Sequence, residues 1–510
     1  MNRIINKKFL LFFIPIVSIV YYYFELKTKH TLYFKEYFIF SIFISLIIIL
    51  SIYILKKKNI KLDETFLVIG LILGSIYIFS SPLFTGGDEY SHYYRIYEIS
   101  KGTLVTPTKA GPVGSMLPES LYKTFAVDGK CKQNCSISIK YSDIKSMVKL
   151  KLNKRNEVRY GYGYKTLYVN TSLHSFVPYI FQAIGFAIGR ALNINPYYIG
   201  IIGRFFNLIS YLAICYVGLK KLPKHKLMFM ILLLSPTLLS TACTLNADAL
   251  TNGMIFLFIA SVMNIYYGKE KINRKDMILL LVLSAFIGAS KIVYLPITFL
   301  AFLIPHEKFD NKKNKYTYCI EVVLLSAIID LIWLQFIKPY MDKIYIMTEI
   351  QEKMILEAPF NYIKVLCITF VKEFFHLTTS VFAGTDMYHA QILINPIVSA
   401  VLIVLFIAAL FNDESPKKVD NISKIAIFLI MLIVSVLICT AIYVQFNANF
   451  FKLNNSVIKG LQGRYFIPIF MLFSLVINKK VCKLDDKILL YILVLLHIPV
   501  YLTMFIRFIA

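Results

Sequence analysis

Long apolar runs recur along the whole chain, and this feature limits its fold more than any other. A helix needs about 20 apolar residues to cross a bilayer, and 58% of the 510 residues are hydrophobic against 16% charged. We therefore predict an all-α polytopic membrane protein with about 11–13 transmembrane helices, in a single domain over 1–510. The runs are Phe9–Phe24, Tyr37–Leu55, Phe66–Phe84, Phe176–Leu192, Tyr197–Leu219, Leu227–Cys243, Ala249–Tyr267, Met277–Ile304, Tyr318–Ile337, Ile392–Phe411, Ile425–Val444, Tyr465–Ile477 and Ile488–Phe505.

The first run resembles a signal peptide because Arg3, Lys7 and Lys8 precede it. No small-residue cleavage site follows, and the run ends in the aromatic stretch Tyr21–Phe24. We predict an uncleaved first span with its N-terminus in the cytoplasm.

The formal net charge of +26 does not indicate nucleic-acid binding, because Lys and Arg gather in short clusters between apolar runs. Such clusters orient spans with the positive side in the cytoplasm. All of these basic clusters lie on the same side of the membrane under two conditions. The run Phe176–Leu192 must not cross the membrane, and a break at Lys291 must divide its run into two short membrane crossings. The clusters are Lys56–Lys58, Lys220–Lys226, Lys269–Lys275, Lys312-Lys313, Lys417-Lys418 and Lys479-Lys480.

This topology predicts two extracytoplasmic loops in a multi-pass protein of the cell membrane. One covers 85–171, and the other covers 338–375, where Tyr362–Phe375 has the pattern of an interfacial amphipathic helix. In the first loop, Cys131 and Cys135 are spaced for a local disulfide, and Gly161–Tyr164 predicts a turn rather than a phosphate loop.

The first loop opens with the richest polar motif of the chain, Gly86–Arg95. In a helix that begins near Asp88, this residue, His92 and Arg95 share one face. Glu89 adds a second acid. The alternative is structural, with Asp88 as an N-cap and the other side chains merely solvated.

Three further polar segments interrupt apolar runs. Each also has a plain structural alternative: a helix cap for the first, a lysine that snorkels to the interface for the second and a basic anchor for the third. The segments are Thr244–Asp248 with Asn246 and Asp248, Ser290-Lys291, and Lys459–Tyr465 with Gln462 and Arg464.

The predicted topology places all four segments on one extracytoplasmic face. Acids can deprotonate or position a hydroxyl, and cations can hold a phosphate. Together they suit the transfer of a sugar from a lipid phosphate, in which the leaving phosphate needs positive charge and the attacking hydroxyl needs a base.

At these residues the chain resembles the bacterial membrane family called domain of unknown function 2142, which looks like a branch of the GT-C glycosyltransferase superfamily. The resemblance implies a GT-C-like fold with a large extracytoplasmic first catalytic loop, a polyprenyl-phosphate sugar donor, and an acid of that loop, Asp88 or Glu89, as catalytic base or metal holder. The matching segments are Asp88-Glu89-x-x-His92-x-x-Arg95-x-Tyr97-x-Ile99-x-x-Gly102, Asn246-Ala247-Asp248-Ala249, Lys291-x-x-Tyr294-x-Pro296 and Gln462-Gly463-Arg464-Tyr465-Phe466-x-Pro468.

We therefore expect an inverting membrane glycosyltransferase that acts on a cell-wall or capsular glycan acceptor, with Asp88 and Glu89 catalytic. A divalent cation, Mg²⁺ or Mn²⁺, is compatible with the acidic pair. Two alternatives stay open, a flippase or transporter of lipid-linked glycans and a polysaccharide polymerase or ligase. The expected substrate-binding residues are His92, Arg95, Asn246, Asp248, Lys291, Gln462 and Arg464.

Overall fold

The computed structural model describes most of the chain. The described residues are 13, 15–21, 23–24, 34–57, 61–107, 115–124, 126–127, 130–131, 139–159, 169–344, 346–384, 386–387, 390–391, 396–413, 419–477, 479–481 and 483–509. The sequence-predicted Cys131–Cys135 disulfide and the Gly161–Tyr164 turn involve residues outside this set.

Two long helices, α1 (Phe34–Lys57) and α2 (Leu62–Ser80), precede the first loop. The loop then forms short elements, in which the first described strand pairs antiparallel with the fourth and the second pairs antiparallel with the third. They are α3 (Glu89–Ser100), β1 (Met116–Pro118), α4 (Glu119–Thr124), β2 (Ala126–Val127), β3 (Lys130–Cys131), α5 (Tyr141–Met147), β4 (Glu157–Arg159) and α6 (Val169–Ser172).

The central part of the chain is almost entirely helical. After a 3₁₀ turn at Val177–Tyr179 come α7 (Ile180–Ala191), α8 (Pro196–Lys221), α9 (Lys226–Leu233), α10 (Pro236–Ala242), α11 (Asp248–Tyr267) and α12 (Arg274–Ser290). The run that begins at Phe176 thus yields a helix of 12 residues, α7. At 1.5 Å per residue it is about 18 Å long, too short to cross a hydrocarbon layer of about 30 Å.

The last part begins with the 3₁₀ helix Ile292–Leu303 and the turn His306–Lys308. The antiparallel pair β5–β6 lies in the middle of this part. The remaining elements are α13 (Lys312–Ile344), α14 (Thr348–Glu357), α15 (Pro359–Ala383), β5 (Asp386–Met387), β6 (Ala390–Gln391), α16 (Pro396–Leu410), α17 (Asn421–Ala441), the π-helix Ile442–Asn447, α18 (Ala448–Phe450), the 3₁₀ turn Gly463–Phe466, α19 (Ile467–Val476), α20 (Asp486–Leu495) and α21 (His497–Ile509).

Among the described residues, 8 helical stretches are long and apolar enough to cross a membrane, and three shorter apolar helices join them. The predicted class, an all-α polytopic membrane protein, is confirmed. Helix α11 lies at the centre, since 89% of its apolar stretch is buried, against 22% for α13. Exposed Ile320, Leu324 and Ile328 follow one another every fourth residue on α13 and form a face suited to lipid.

The break predicted at Lys291 is present. Helix α12 ends at Ser290, and the chain continues as the 3₁₀ helix Ile292–Leu303. The Ile272 N–H donates to the Lys308 carbonyl over 3.0 Å, so the two segments run antiparallel as a hairpin with Lys291 at its tip.

The predicted interfacial helix Tyr362–Phe375 is not a separate element. It belongs to α15, whose 25 residues meet the length and composition of a span. Helices α14 and α15 and the end of α13 thus fill the predicted 338–375 loop. Its extracytoplasmic position stays a prediction.

Contacts bring three of the basic clusters together at one end of the helix bundle: Lys220–Lys226, Lys269–Lys275 and Lys312-Lys313. Lys221 pairs with Asp276 over 3.1 Å, and the His225 N–H donates to Asp413 over 2.6 Å. We call this end, formed by residues 220–226, 271–276, 308–313 and 412–413, the basic end. Helix α2 starts at the basic end, because its first residue, Leu62, lines a cavity with Lys224 and His225. From there the helix runs to the other end of the bundle. Its 19 residues span about 28 Å.

Candidate functional site

Three predicted charges meet at the end of the bundle opposite the basic end. Asp248 begins α11, Lys291 forms the hairpin tip and Arg464 lies in the 3₁₀ turn. One carboxylate oxygen of Asp248 lies 2.5 Å from Lys291 Nζ, and the other lies 3.3 Å from Arg464 Nε. Two cations against one carboxylate leave a net positive charge in a mostly buried site, with side chains 12–19% exposed. The arrangement suits an anionic ligand.

The ring of Tyr465 lies against both cations. Lys291 Nζ is 5.1 Å and the Arg464 guanidinium carbon 5.4 Å from its centroid, distances at which a ring attracts positive charge. The Tyr294 hydroxyl donates to the Tyr465 carbonyl over 3.0 Å and thereby ties the hairpin to the 3₁₀ turn.

The 3₁₀ turn can come this close because Gly463 has no side chain. A Cβ at this position would lie 2.5 Å from the backbone nitrogen of Val381 in α15. The Gly463 N–H instead donates to the Ser380 hydroxyl over 3.1 Å. A glycine next to Arg464 therefore lets the 3₁₀ turn pack directly against α15.

Lys291 and Tyr465 also line a largely apolar groove of about 300 Å³. Its walls include two irregular helices, the 12-residue 3₁₀ helix Ile292–Leu303 and the π-helix Ile442–Asn447. Long 3₁₀ runs and π segments are uncommon and are often found at functional sites. The lining residues are Leu173, His174, Ser290, Lys291, Ile292, Val293, Tyr294, Asp330, Trp333, Leu334, Ile337, Met341, Ile438, Ala441, Ile442, Gln445, Phe446 and Tyr465.

Asp88 is half-buried and adopts a left-handed backbone conformation, with φ +54°. Among residues with a side chain, Asp and Asn tolerate this conformation best. The preceding Gly86 and Gly87 line a small cavity of about 30 Å³ together with Arg464. Asp88 therefore follows directly on the two glycines that line this cavity.

Glu89 lies next to Asp88 but is fully buried and has a different environment. Both of its oxygens accept from Arg204 of α8, over 2.7 and 2.6 Å. Backbone N–H groups of Phe84 and Leu245 also donate to it, over 2.8 and 2.9 Å. The carboxylate holds the first loop to the Thr244–Asp248 segment, and no face of it is open to a substrate.

Arg95 is also fully buried. It pairs with Glu98 over 2.8 Å and donates to the Leu104 carbonyl over 2.6 Å. A longer bond of 3.5 Å reaches the His174 carbonyl. Arg95 therefore orders the loop that carries His174 and does not reach the charged cluster itself.

His92 faces this loop. Its Nδ1 lies 2.7 Å from the Tyr179 hydroxyl, and its ring stacks with His174 at a centroid distance of 6.1 Å. Burial lowers the pKa of His92 well below its ordinary value, and it lowers the pKa of His174 to about 4. Lys291 contributes to both shifts. Both rings are therefore neutral near pH 7 and offer hydrogen bonds without charge.

Each of the remaining two predicted residues, Asn246 and Gln462, lies two positions before a charged residue of the cluster. The side-chain oxygen of Asn246 accepts from the N–H groups of Asp248 and Ala249 over 2.9 and 3.0 Å, so it caps α11. Gln462 precedes the 3₁₀ turn, and its buried side-chain oxygen has no partner among the described residues. That oxygen can accept a hydrogen bond from a ligand.

The side chains do not fit a divalent cation. Over the described ranges, no group of three or more His, Cys, Asp or Glu side chains is arranged to hold a metal ion. Glu89 is occupied by Arg204, and Asp248 by two cations.

Sequence reasoning missed several residues that build the site. Arg204 and Asp330 are isolated charges within apolar runs, and such residues are rare enough in spans to attract notice. Glu98 lay inside the family-matching segment Asp88–Gly102 without being selected. His174 and Tyr179 gave no local signal, because only the fold brings them to His92.

The fold and the site define a polytopic helical membrane protein with a charged site at one end of the bundle. A model of the family described as predicted membrane protein DUF2142 matches residues 71–473. The match covers more than half of the chain, and the protein belongs to this family. No curated protein matches the chain. No solved structure matches it either.

Proposed function

We propose that this protein is a GT-C-type membrane glycosyltransferase that moves one sugar from a polyprenyl-phosphate carrier to a cell-envelope glycan. The supporting observation is the position of Lys291 in an apolar groove, with Arg464 beside it on the same Asp248 carboxylate. A ligand that matches both features has a long hydrocarbon chain and an anionic head. A polyprenyl phosphate has this form.

In this proposal the isoprenoid chain lies along the groove beside Trp333 and Ile337, and its phosphate binds Lys291 and Arg464. Charge-assisted bonds from these donors stabilise the negative charge that develops on the phosphate as the sugar leaves. Asp248 keeps both cations in place before the donor binds. With Gln462 it also faces the sugar hydroxyls, while Asn246 caps the helix that carries Asp248.

Asp88 is the catalytic base. It removes the proton of the acceptor hydroxyl while that oxygen bonds to the anomeric carbon of the sugar. The bond from this carbon to the phosphate oxygen breaks, and the carrier leaves as polyprenyl phosphate. Attack opposite the leaving group inverts the anomeric centre. Glu89 and Arg95 act as positioning residues, because their side chains are buried in ion pairs.

The proposed function also requires an orientation of the helix bundle in the membrane. The basic end lies in the cytoplasm of a bacterial cell, by the positive-inside rule. The charged site, about 28 Å away along α2, then opens to the extracytoplasmic side, where envelope glycans are assembled.

The test compares envelope polysaccharide from host cells that lack the protein, complemented with wild type, with Asp88→Asn or with the matched control Asp310→Asn. Asp310 is an exposed acid at the basic end. Loss of one sugar substituent from an otherwise intact polymer, restored by wild type and by the control alone, is the expected result. An unchanged substituent pattern with lipid-linked precursor retained on the cytoplasmic side would contradict the transferase and indicate a flippase.

A further inference from the structure

A second cavity lies at the basic end and takes no part in the proposed transfer. It has a volume of about 480 Å³ and lies between the α8–α9 loop, the end of α16 and the start of α20. Lysines outnumber acids in its wall. The lining residues are Leu62, Pro223, Lys224, His225, Lys226, Leu227, Ala409, Asn412, Asp413, Lys480, Lys483, Leu484 and Asp486.

Local contacts hold this wall in place. The His225 N–H donates to Asp413, and Asn412 donates to the Leu484 carbonyl over 3.0 Å and to Asp486 over 2.9 Å. The Leu484 N–H donates back to Asn412 over 2.7 Å. The two chain segments that face the α8–α9 loop are therefore joined into one surface.

His225 is the unusual residue of the cavity. It is 1% exposed, and neither ring nitrogen has a hydrogen-bond partner within the described part of the chain. Its backbone is left-handed, with φ +58°. A buried imidazole without partners is unfavourable, so a ligand that accepts a hydrogen bond would complete this site.

The other groups in the wall also favour an anion. Lys224 is 4% exposed, and burial lowers its pKa to about 8. The 8-residue helix α9 starts at Lys226, and the first N–H groups of a helix attract negative charge. Apolar Leu62, Leu227 and Leu484 lie beside these donors.

We propose that this cavity is a phosphate-binding site, filled by the head group of an anionic phospholipid or by soluble phosphate. Lys224, Lys480 and Lys483 supply charge, and His225 donates a hydrogen bond. The site is independent of the proposed transfer, because it lies about one membrane thickness from Lys291 and Arg464.

The test uses the purified full-length protein in a neutral detergent and follows its thermal unfolding midpoint. One titration adds short-chain phosphatidylglycerol against phosphatidylcholine, and another adds inorganic phosphate against chloride at equal ionic strength. We expect a saturable rise of the midpoint with a phosphate-bearing probe. A rise with phosphatidylglycerol alone identifies a lipid head group, and a rise with inorganic phosphate identifies a soluble source.

Variants separate this site from general surface charge. Lys480→Gln with Lys483→Gln removes two exposed ammonium groups without disturbing packing, and His225→Phe removes the buried donor. We expect the half-saturating concentration to rise about tenfold for the lysine pair. Lys275→Gln, an exposed lysine elsewhere at the basic end, is the control. The proposal would be overturned if Lys275→Gln raised the half-saturating concentration as much as the lysine pair does. It would also be overturned if neither probe raised the unfolding midpoint of the wild type.

Discussion

The Asp248 carboxylate and the Lys291 ammonium lie 2.5 Å apart, although 43 positions separate them in the chain. Asp248 starts the central helix α11, and Lys291 forms the tip of the adjacent hairpin. Arg464 reaches the same carboxylate from a third segment. Side chains from three distant segments thus form a charged site with excess positive charge at the end of an apolar groove.

Asp88→Asn should abolish transfer without unfolding the protein. Asn tolerates the left-handed backbone of position 88, while the variant loses the charge that accepts a proton. Losing a general base costs about 10²–10⁴-fold in rate. The measurement is sugar transfer by purified protein in proteoliposomes, with Asp310→Asn as control. Full activity of Asp88→Asn at wild-type stability would rule out this base.

Glu89→Gln should act mainly on stability. It leaves Arg204 buried without its counter-charge, and breaking a buried pair in this way costs about 3–5 kcal/mol. Arg204→Gln should cost a similar amount. The double variant should recover part of the loss, because no uncompensated charge remains. Thermal unfolding of the three variants measures this coupling, and strictly additive losses would speak against the pair.

The neutral histidines make stability depend on acid pH. The pKa of His174 is about 4 in the folded protein, against about 6.5 when unfolded. Between these values the unfolded chain binds the extra proton. Stability should therefore fall as the pH drops from about 6.5 to about 4, with a limiting slope of about 1.4 kcal/mol per pH unit. In the His174→Gln variant, the free energy of unfolding should depend less on pH over this range. The same pH dependence as in the wild type would contradict the lowered pKa of His174.

Much of this arrangement could be predicted from the sequence. The break at Lys291 and the four polar segments were visible, because charge is costly in an apolar run. The separate roles of Asp88 and Glu89 could not be predicted. The sequence motif alone does not show that Arg204, far away in the chain, neutralises only one of these two adjacent acids. His174 and Tyr179 were missed for the same reason: tertiary packing alone brings them to His92.

Gly288→Ala should weaken the contact between α12 and α13. A Cβ there would lie within 2.8 Å of the Ser326 carbonyl carbon, and rigid backbone cannot yield as a side chain does. The matched control is Gly253→Ala in α11, where the nearest atom lies at 3.6 Å and the helix gains up to about 1 kcal/mol. The thermal unfolding midpoint should fall for Gly288→Ala and should not fall for Gly253→Ala. Equal behaviour of the two would contradict this packing.

The most direct test of the central claim uses the fluorescence of Trp333, the one tryptophan in the chain, which lines the groove. Undecaprenyl phosphate added to the purified protein should change this emission saturably, whereas undecaprenol should bind at least about tenfold more weakly. Lys291→Gln and Arg464→Gln should each weaken binding of the phosphate about 10–150-fold, since a charged hydrogen bond contributes about 1.5–3 kcal/mol. Lys275→Gln should change nothing. Equal affinity for undecaprenyl phosphate and undecaprenol, or wild-type affinity in both Lys291→Gln and Arg464→Gln, would contradict a lipid-phosphate site at this groove.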